Sequence, residues 1–151
     1  MALFASRLKT EFVAMINADI VLTQDMLKIE KVLLKGGMMA ASSRRRDYKT
    51  KELLPDDKGR DIWILRPSKW AMVAREIPLC CRIGHQRWDS WMMGFCRERF
   101  KGAFGEFSDV PCVFHPRHEE RQMPHASEIV FQTRYDNVYR QNTIITIDPI
   151  L

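Results

Sequence analysis

Two stretches of this chain, 38–60 and 103–125, carry no apolar repeat of helical or strand period, and this constrains the fold more than any motif does. Fixing a backbone costs roughly 1–2 kcal/mol per residue, and burial of apolar side chains is what normally offsets that cost. In the first stretch Ala40-Ala41-Ser42-Ser43 has no period, Arg44, Arg45 and Arg46 form a charge run, and Pro55-Asp56-Asp57-Lys58-Gly59 is turn chemistry. In the second, Gly105, Pro111, Pro116 and Pro124 break any period over a length unusual for a plain loop. Both read as segments that gain order by lying on other chains.

The remaining segments have clearer patterns. Phe4, Leu8, Phe12, Met15 and Ile16 recur at helical spacing, and Met26, Ile29, Val32 and Leu33 form a second stripe behind Thr23 as N-cap, closed by Gly36-Gly37. Residues 1–37 therefore predict a helical hairpin. Ile62-Trp63-Ile64-Leu65 predicts a short apolar strand or the lip of a loop, and Ser68 caps a helix bearing Trp70, Val73 and Ile77 that Pro78 stops. A further helix is predicted over 86–101, with Trp88, Trp91, Met92 and Phe95 on one face and Gly102 ending it. Ile129, Phe131, Thr133 and Tyr135 alternate, as do residues 143–147 more loosely, which predicts a small C-terminal β-hairpin. The expected fold class is mainly α. It comprises a hairpin over 1–37, a basic extended linker over 38–60, and over 61–151 a helical segment with an irregular loop and the hairpin, all in one structural unit.

A chain of 151 residues, 46% of them hydrophobic, is long enough to bury a core. Its apolar runs span only a few residues, well short of the ~20 that cross a bilayer, so no transmembrane segment is expected. The net charge of +5 favours anionic partners: RNA, anionic lipid or acidic protein faces. The first ten residues are acid-free and amphipathic, in the manner of a mitochondrial import sequence, so a mitochondrial location is expected and a cytoplasmic one otherwise.

The cysteines and histidines admit metal or catalytic chemistry beside blander roles. Cys81 with His85, and Cys112 with His115, could each supply two zinc ligands, but the spacing matches no standard finger or ribbon. Cys80, Cys96 and Cys112 would form a bridge only in an oxidising compartment. Reduced, unpaired thiols are expected, with no bound metal or cofactor. Cys81 and His85 lie among the breakers Pro78 and Gly84 and have no placed carboxylate beyond Asp89, so an activated nucleophile is not expected. The chain has no Gly-rich phosphate loop and no metalloprotease motif. It reads as a non-enzyme.

Arg44, Arg45 and Arg46 near Tyr48, and Arg87 near Trp88 and Trp91, combine cations with aromatics as RNA binders do, although Arg and Trp also dominate protein interfaces. Met38-Met39 would be costly to expose unless covered. The expected function is a non-catalytic accessory subunit of a large protein assembly, in the respiratory chain or ATP synthase. It would contact neighbouring subunits through Met38, Met39, Arg44, Arg45, Arg46, Trp88 and Trp91, with RNA or anionic lipid as further partners. The alternatives are an RNA-contacting ribosomal protein and a zinc-stabilised module. RNA binding would weaken steeply as salt rises, because counterions are released, whereas packing through Trp and Met would survive; titration at two salt concentrations separates them. For the zinc module, metal analysis of the purified chain should find about one equivalent.

Overall fold

The computed structural model describes residues 1–55, 60–77 and 88–116 and the backbone of 145–146. In chain order the elements are α1 (Ala2–Ala5), β1 (Val13–Ile16), β2 (Val21–Leu22), α2 (Met26–Lys35), β3 (Ala40–Arg44), β4 (Arg46–Asp47), β5 (Arg60–Leu65), α3 (Pro67–Glu76), α4 (Trp88–Phe100), β6 (Phe104–Glu106), β7 (Val113–His115) and β8 (Ile145–Thr146). A short 3-10 turn, Lys101–Ala103, links α4 to β6.

Ile62-Trp63-Ile64-Leu65 has apolar side chains at both parities. Such a run makes a strand that must be covered on both faces, and all six residues of β5 are buried. β1 and β3 flank it, both antiparallel to it; β6 runs parallel to β3, and β8 parallel to β6. β5 thus opposes a set of strands that share one direction, and β1, β3 and β6 end at the same edge of this five-stranded sheet. A second sheet has β7 at its centre, antiparallel to β2 and parallel to β4. Trp63 and Leu65 pack with Trp70 and Val73 of α3 and with Trp88, Trp91, Met92 and Phe95 of α4. On the other face Ile62 and Ile64 pack with Ile29 and Leu33 of α2 and with Phe107, Cys112 and Val113.

The mainly α expectation is therefore overturned: the described residues form two mixed sheets with helices, a mixed α/β fold. The supposed linker supplies β3, β4 and the start of β5. Ala40, Ala41, Ser42 and Ser43 are at most 1% exposed. They are small because their neighbours are large: Ser42 lies opposite Trp63, Ala40 opposite Phe104, and the Trp63 and Phe104 rings stack at 6.3 Å. Small residues carry little hydrophobic signal, so a central strand looked like a linker.

The first predicted helix shrinks to α1, and its second half becomes β1. Phe12 packs with the α2 side of the sheet and Val13 and Met15 with the other; apolar residues on both faces do not distinguish a period of 3.6 from one of 2. The second helix forms as expected, though it opens at Met26 behind Asp25. It closes with Gly37 at φ +62°, while the Met38 N–H donates to Leu33 O at 3.1 Å and Gly37 N–H to Leu34 O at 3.3 Å. Pro67, not Ser68, begins α3, with Arg66 at the cap position. Within 103–125, β6 and β7 replace part of the expected loop. The C-terminal hairpin lies outside the described residues except for β8, which pairs with β6.

Trp88 is 5% exposed and meets Trp63 edge-on at 6.3 Å. Trp88→Ala is expected to lower unfolding stability by ~3–5 kcal/mol, measured by urea denaturation; a loss below ~1 kcal/mol would place Trp88 outside the cooperative core.

Candidate functional site

A polar cluster gathers where the two sheets meet, at the C-terminal ends of β1, β3 and β7. Asn17 follows β1 directly and Asp61 is the second residue of antiparallel β5, so register brings them side by side. The Asn17 backbone N–H donates to Asp61 O at 3.0 Å, and Asn17 Nδ2 donates to Asp61 Oδ1 at 2.6 Å. From the opposite side, a register shift at Ser43/Arg44 ends the regular pairing of β3 with β5. Arg45 follows, and its Nη1 donates to Asp61 Oδ2 at 2.7 Å. Both carboxylate oxygens of Asp61 are thus held by groups from the two flanking strands.

Asp19 and His115 complete the cluster. Asp19 sits in the turn from β1 to β2, where Ile20 N–H donates to Asn17 O at 3.3 Å. His115 ends β7, and its Nε2 lies 3.0 Å from Asp19 Oδ2. The imidazole is mostly buried and the Asp19 carboxylate is exposed, so the pair bridges interior and solvent.

Asp61 is 4% exposed. Burial pushes its carboxyl above the usual range; Arg45 and, less strongly, His115 pull it down, and Asp19 pushes it up. A close ion pair and a raised pKa point in opposite directions here. Loss of hydration outweighs the guanidinium, because Arg45 lies partly in water, where its field is screened.

Beside this cluster lies a second, structural network. Glu106 at the end of β6 accepts from Arg60 Nη2 at 3.0 Å, meets Arg44 Nε at 3.4 Å and accepts from the Ser108 hydroxyl. The Arg44 backbone N–H donates to Ser108 Oγ at 2.8 Å. These bonds fix the chain just before Arg45 and so aim its guanidinium.

The structure distributes the residues singled out from sequence widely. Of the arginine run, Arg45 alone reaches Asp61. Arg44 joins the Glu106 network, and Arg46 donates to the carbonyls of Lys51 and Ser108 at 3.2 and 3.1 Å. Trp88 and Trp91 are core residues, Met38 packs beneath α2, and Met39 is exposed. Cys81 and His85 lie outside the described residues. Cys112 is buried and unbridged, its thiol pushed up to about 12 by burial and the Asp25 carboxylate. Among the described residues no three His, Cys, Asp or Glu side chains converge to hold a metal ion, and no helix is long and apolar enough to cross a membrane.

Asn17, Asp19 and Asp61 were missed by sequence reasoning. Their signal was positional: each polar residue abuts an apolar strand run, as in Met15-Ile16-Asn17-Ala18-Asp19 and Arg60-Asp61-Ile62-Trp63. No family model, curated protein or solved structure matches this chain.

The raised Asp61 pKa fixes the sign of a stability effect. Its folded-state value lies above its unfolded one, so its contribution is fully present below the unfolded value and is lost as pH rises through the folded one. Asp61→Asn keeps an acceptor for Arg45 and cannot ionise. Its melting temperature is expected to exceed wild type at pH 7, with the gap closing as pH falls toward 4. A lower melting temperature at pH 7 would mean that the Arg45 ion pair outweighs desolvation.

Proposed function

We propose that the Asn17, Asp19, Arg45, Asp61 and His115 cluster is the binding site for a small polar ligand bearing hydroxyl or amine groups, with acid–base capacity supplied by Asp61 and by His115 next to Asp19. One observation carries the reading: a carboxylate whose ionised form burial disfavours is held by two strands at an edge where a protein seeking stability alone would place an apolar residue. Groups that cost stability are retained where they work on something. Asn17 and Arg45 orient the carboxylate, which can accept a hydrogen bond or a proton from a ligand. The imidazole beside Asp19 offers a second polar contact on the solvent side.

The reading is tested by ligand-observed NMR with a panel of polyols, amino compounds and phosphorylated small molecules. Compounds that bind wild type should lose at least tenfold in affinity for Asp61→Asn and for His115→Ala while both variants keep the native fold. Binding that ignores both substitutions, or no binding across the panel, overturns it.

A second reading, a non-catalytic accessory subunit packed on neighbouring chains, is favoured by the apolar side chains exposed outside this site: Leu3, Phe4, Leu27 and Leu34. Defined protein partners that co-purify under gentle conditions, identified by mass spectrometry, are its expected signature. The RNA alternative is weakened because the guanidiniums of Arg44 and Arg46 are already engaged within the fold.

A further inference from the structure

The chain from Arg45 to Leu54 doubles back on itself. The Asp47 N–H donates to Glu52 O at 2.9 Å, the Leu54 N–H donates to Arg45 O at 3.0 Å, and Arg46 pairs with Leu53 as an antiparallel bridge. This hairpin spans both halves of the polar cluster. Its base is Arg45, whose guanidinium holds Asp61 of the five-stranded sheet. Its first strand, β4, runs beside β7 in the second sheet with Asp47 opposite His115, and the Tyr48 N–H donates to His115 O at 3.1 Å. The separation of Arg45 from His115 therefore follows from how the hairpin seats on β7.

The seat is made at the tip. Asp47 is fully buried; its Oδ1 accepts the N–H groups of Lys49 and Thr50, both at 2.8 Å, and so turns the chain. Lys51 closes the turn at φ +64°, a left-handed conformation that glycine adopts freely and lysine does not. Arg46 Nη1 donates to the Lys51 carbonyl at 3.2 Å and fixes that peptide. In this pose the Lys51 ammonium lies 4.2 Å from the centre of the Tyr48 ring and 4.8 Å from that of Phe114. The two rings meet edge-on at 6.5 Å. Tyr48 belongs to the hairpin and Phe114 to β7, next to His115, so one cation ties the two elements together. A turn built for backbone ease alone would carry glycine here; lysine gives up that ease and supplies the ammonium.

From this we infer that Lys51 is a positioning residue for the polar cluster: its ammonium, shared by Tyr48 and Phe114, clamps the hairpin onto β7 and so sets where Arg45 and His115 stand about Asp61. It acts through the hairpin main chain, by way of Arg46 on one side and Tyr48 on the other. Slackening the clamp lets Arg45 and His115 draw back. Asp61 then loses two groups that favour its charged form, while Asp19, which disfavours that form, stays on the turn from β1 to β2. Asp61 therefore takes up a proton more readily. The inference rests on the ligand-site reading of the cluster and names what sets that site's geometry.

The test titrates the full chain with no ligand present, following Asp61 by carboxyl-carbon NMR. Lys51→Gly removes the ammonium and also relieves the left-handed strain, so its melting temperature is expected to stay near wild type. The proton-binding constant of Asp61 should nevertheless rise at least about threefold, and the Tyr48 amide should exchange with solvent at least about tenfold faster. Tyr48→Leu, at an exposed position, should reproduce both changes. Lys51→Arg, which keeps a cation over the rings, should restore the wild-type values. Faster exchange with an unchanged Asp61 titration would reduce Lys51 to local packing and overturns the inference. So does no change in either measurement, or a Lys51→Arg variant that behaves as Lys51→Gly does. A compound panel in which nothing binds removes the ligand-site reading and leaves the titration result standing. Panel compounds that bind wild type and Lys51→Gly equally, with the titration unchanged, remove the clamp alone.

Discussion

The burial of β5 on both faces is the constraint on which the rest of this structure depends. Ile62 and Ile64 reach one hydrophobic cluster and Trp63 and Leu65 the other. Each such side chain is worth roughly 1.5–3 kcal/mol when taken from water. That demand explains why helices cover both sides of the sheet, why β3 must be built of Ala40, Ala41, Ser42 and Ser43 to admit Trp63 and Phe104, and why the Trp63 ring lies between Phe104 and Trp88 at the start of α4. It also carries Arg60 and Asp61, the first two residues of the same strand, into the interior with their charges.

Those two residues meet the cost in different ways. Arg60 is answered by Glu106, itself held by Arg44 and Ser108, in a network that closes on itself. Asp61 receives Arg45 and Asn17, one donor for each oxygen, yet ionises less readily than a carboxylate in water. A buried ion pair is weak evidence of stability, because desolvation can exceed the Coulomb gain. The difference between these neighbours is what separates a structural network from a candidate site: in the first a guanidinium meets a carboxylate within the fold, and the second keeps an unfavourable charge beside a His–Asp pair that opens to solvent.

Part of this was legible in the amino-acid order. Helix α2 follows from its stripe and the Gly36-Gly37 end, α4 from Trp88, Trp91, Met92 and Phe95, and β5 from its apolar run. β1 was not, since a short segment apolar on both faces fits a helix as readily as a strand. β3 was not, since a central strand of alanines and serines has no hydropathy signature; only the size of its neighbours explains it. Arg45 was noticed as one member of a basic run, and His115 as one member of a Cys/His set. Arg44 and Arg46 take other partners than Arg45 does, and His115 meets Asp19, because strand register and not sequence proximity decides which of these side chains meet.

By itself the sequence determined the local physics: which segments turn, which helices carry an apolar face, and that Ile62 to Leu65 must be buried on both sides. Only the tertiary structure decided that Asn17, Asp19, Arg45, Asp61 and His115 share a site. They come from distant parts of the chain, and their meeting depends on two sheets pairing in one register, where a shift of a single residue would turn Asp61 to the other face.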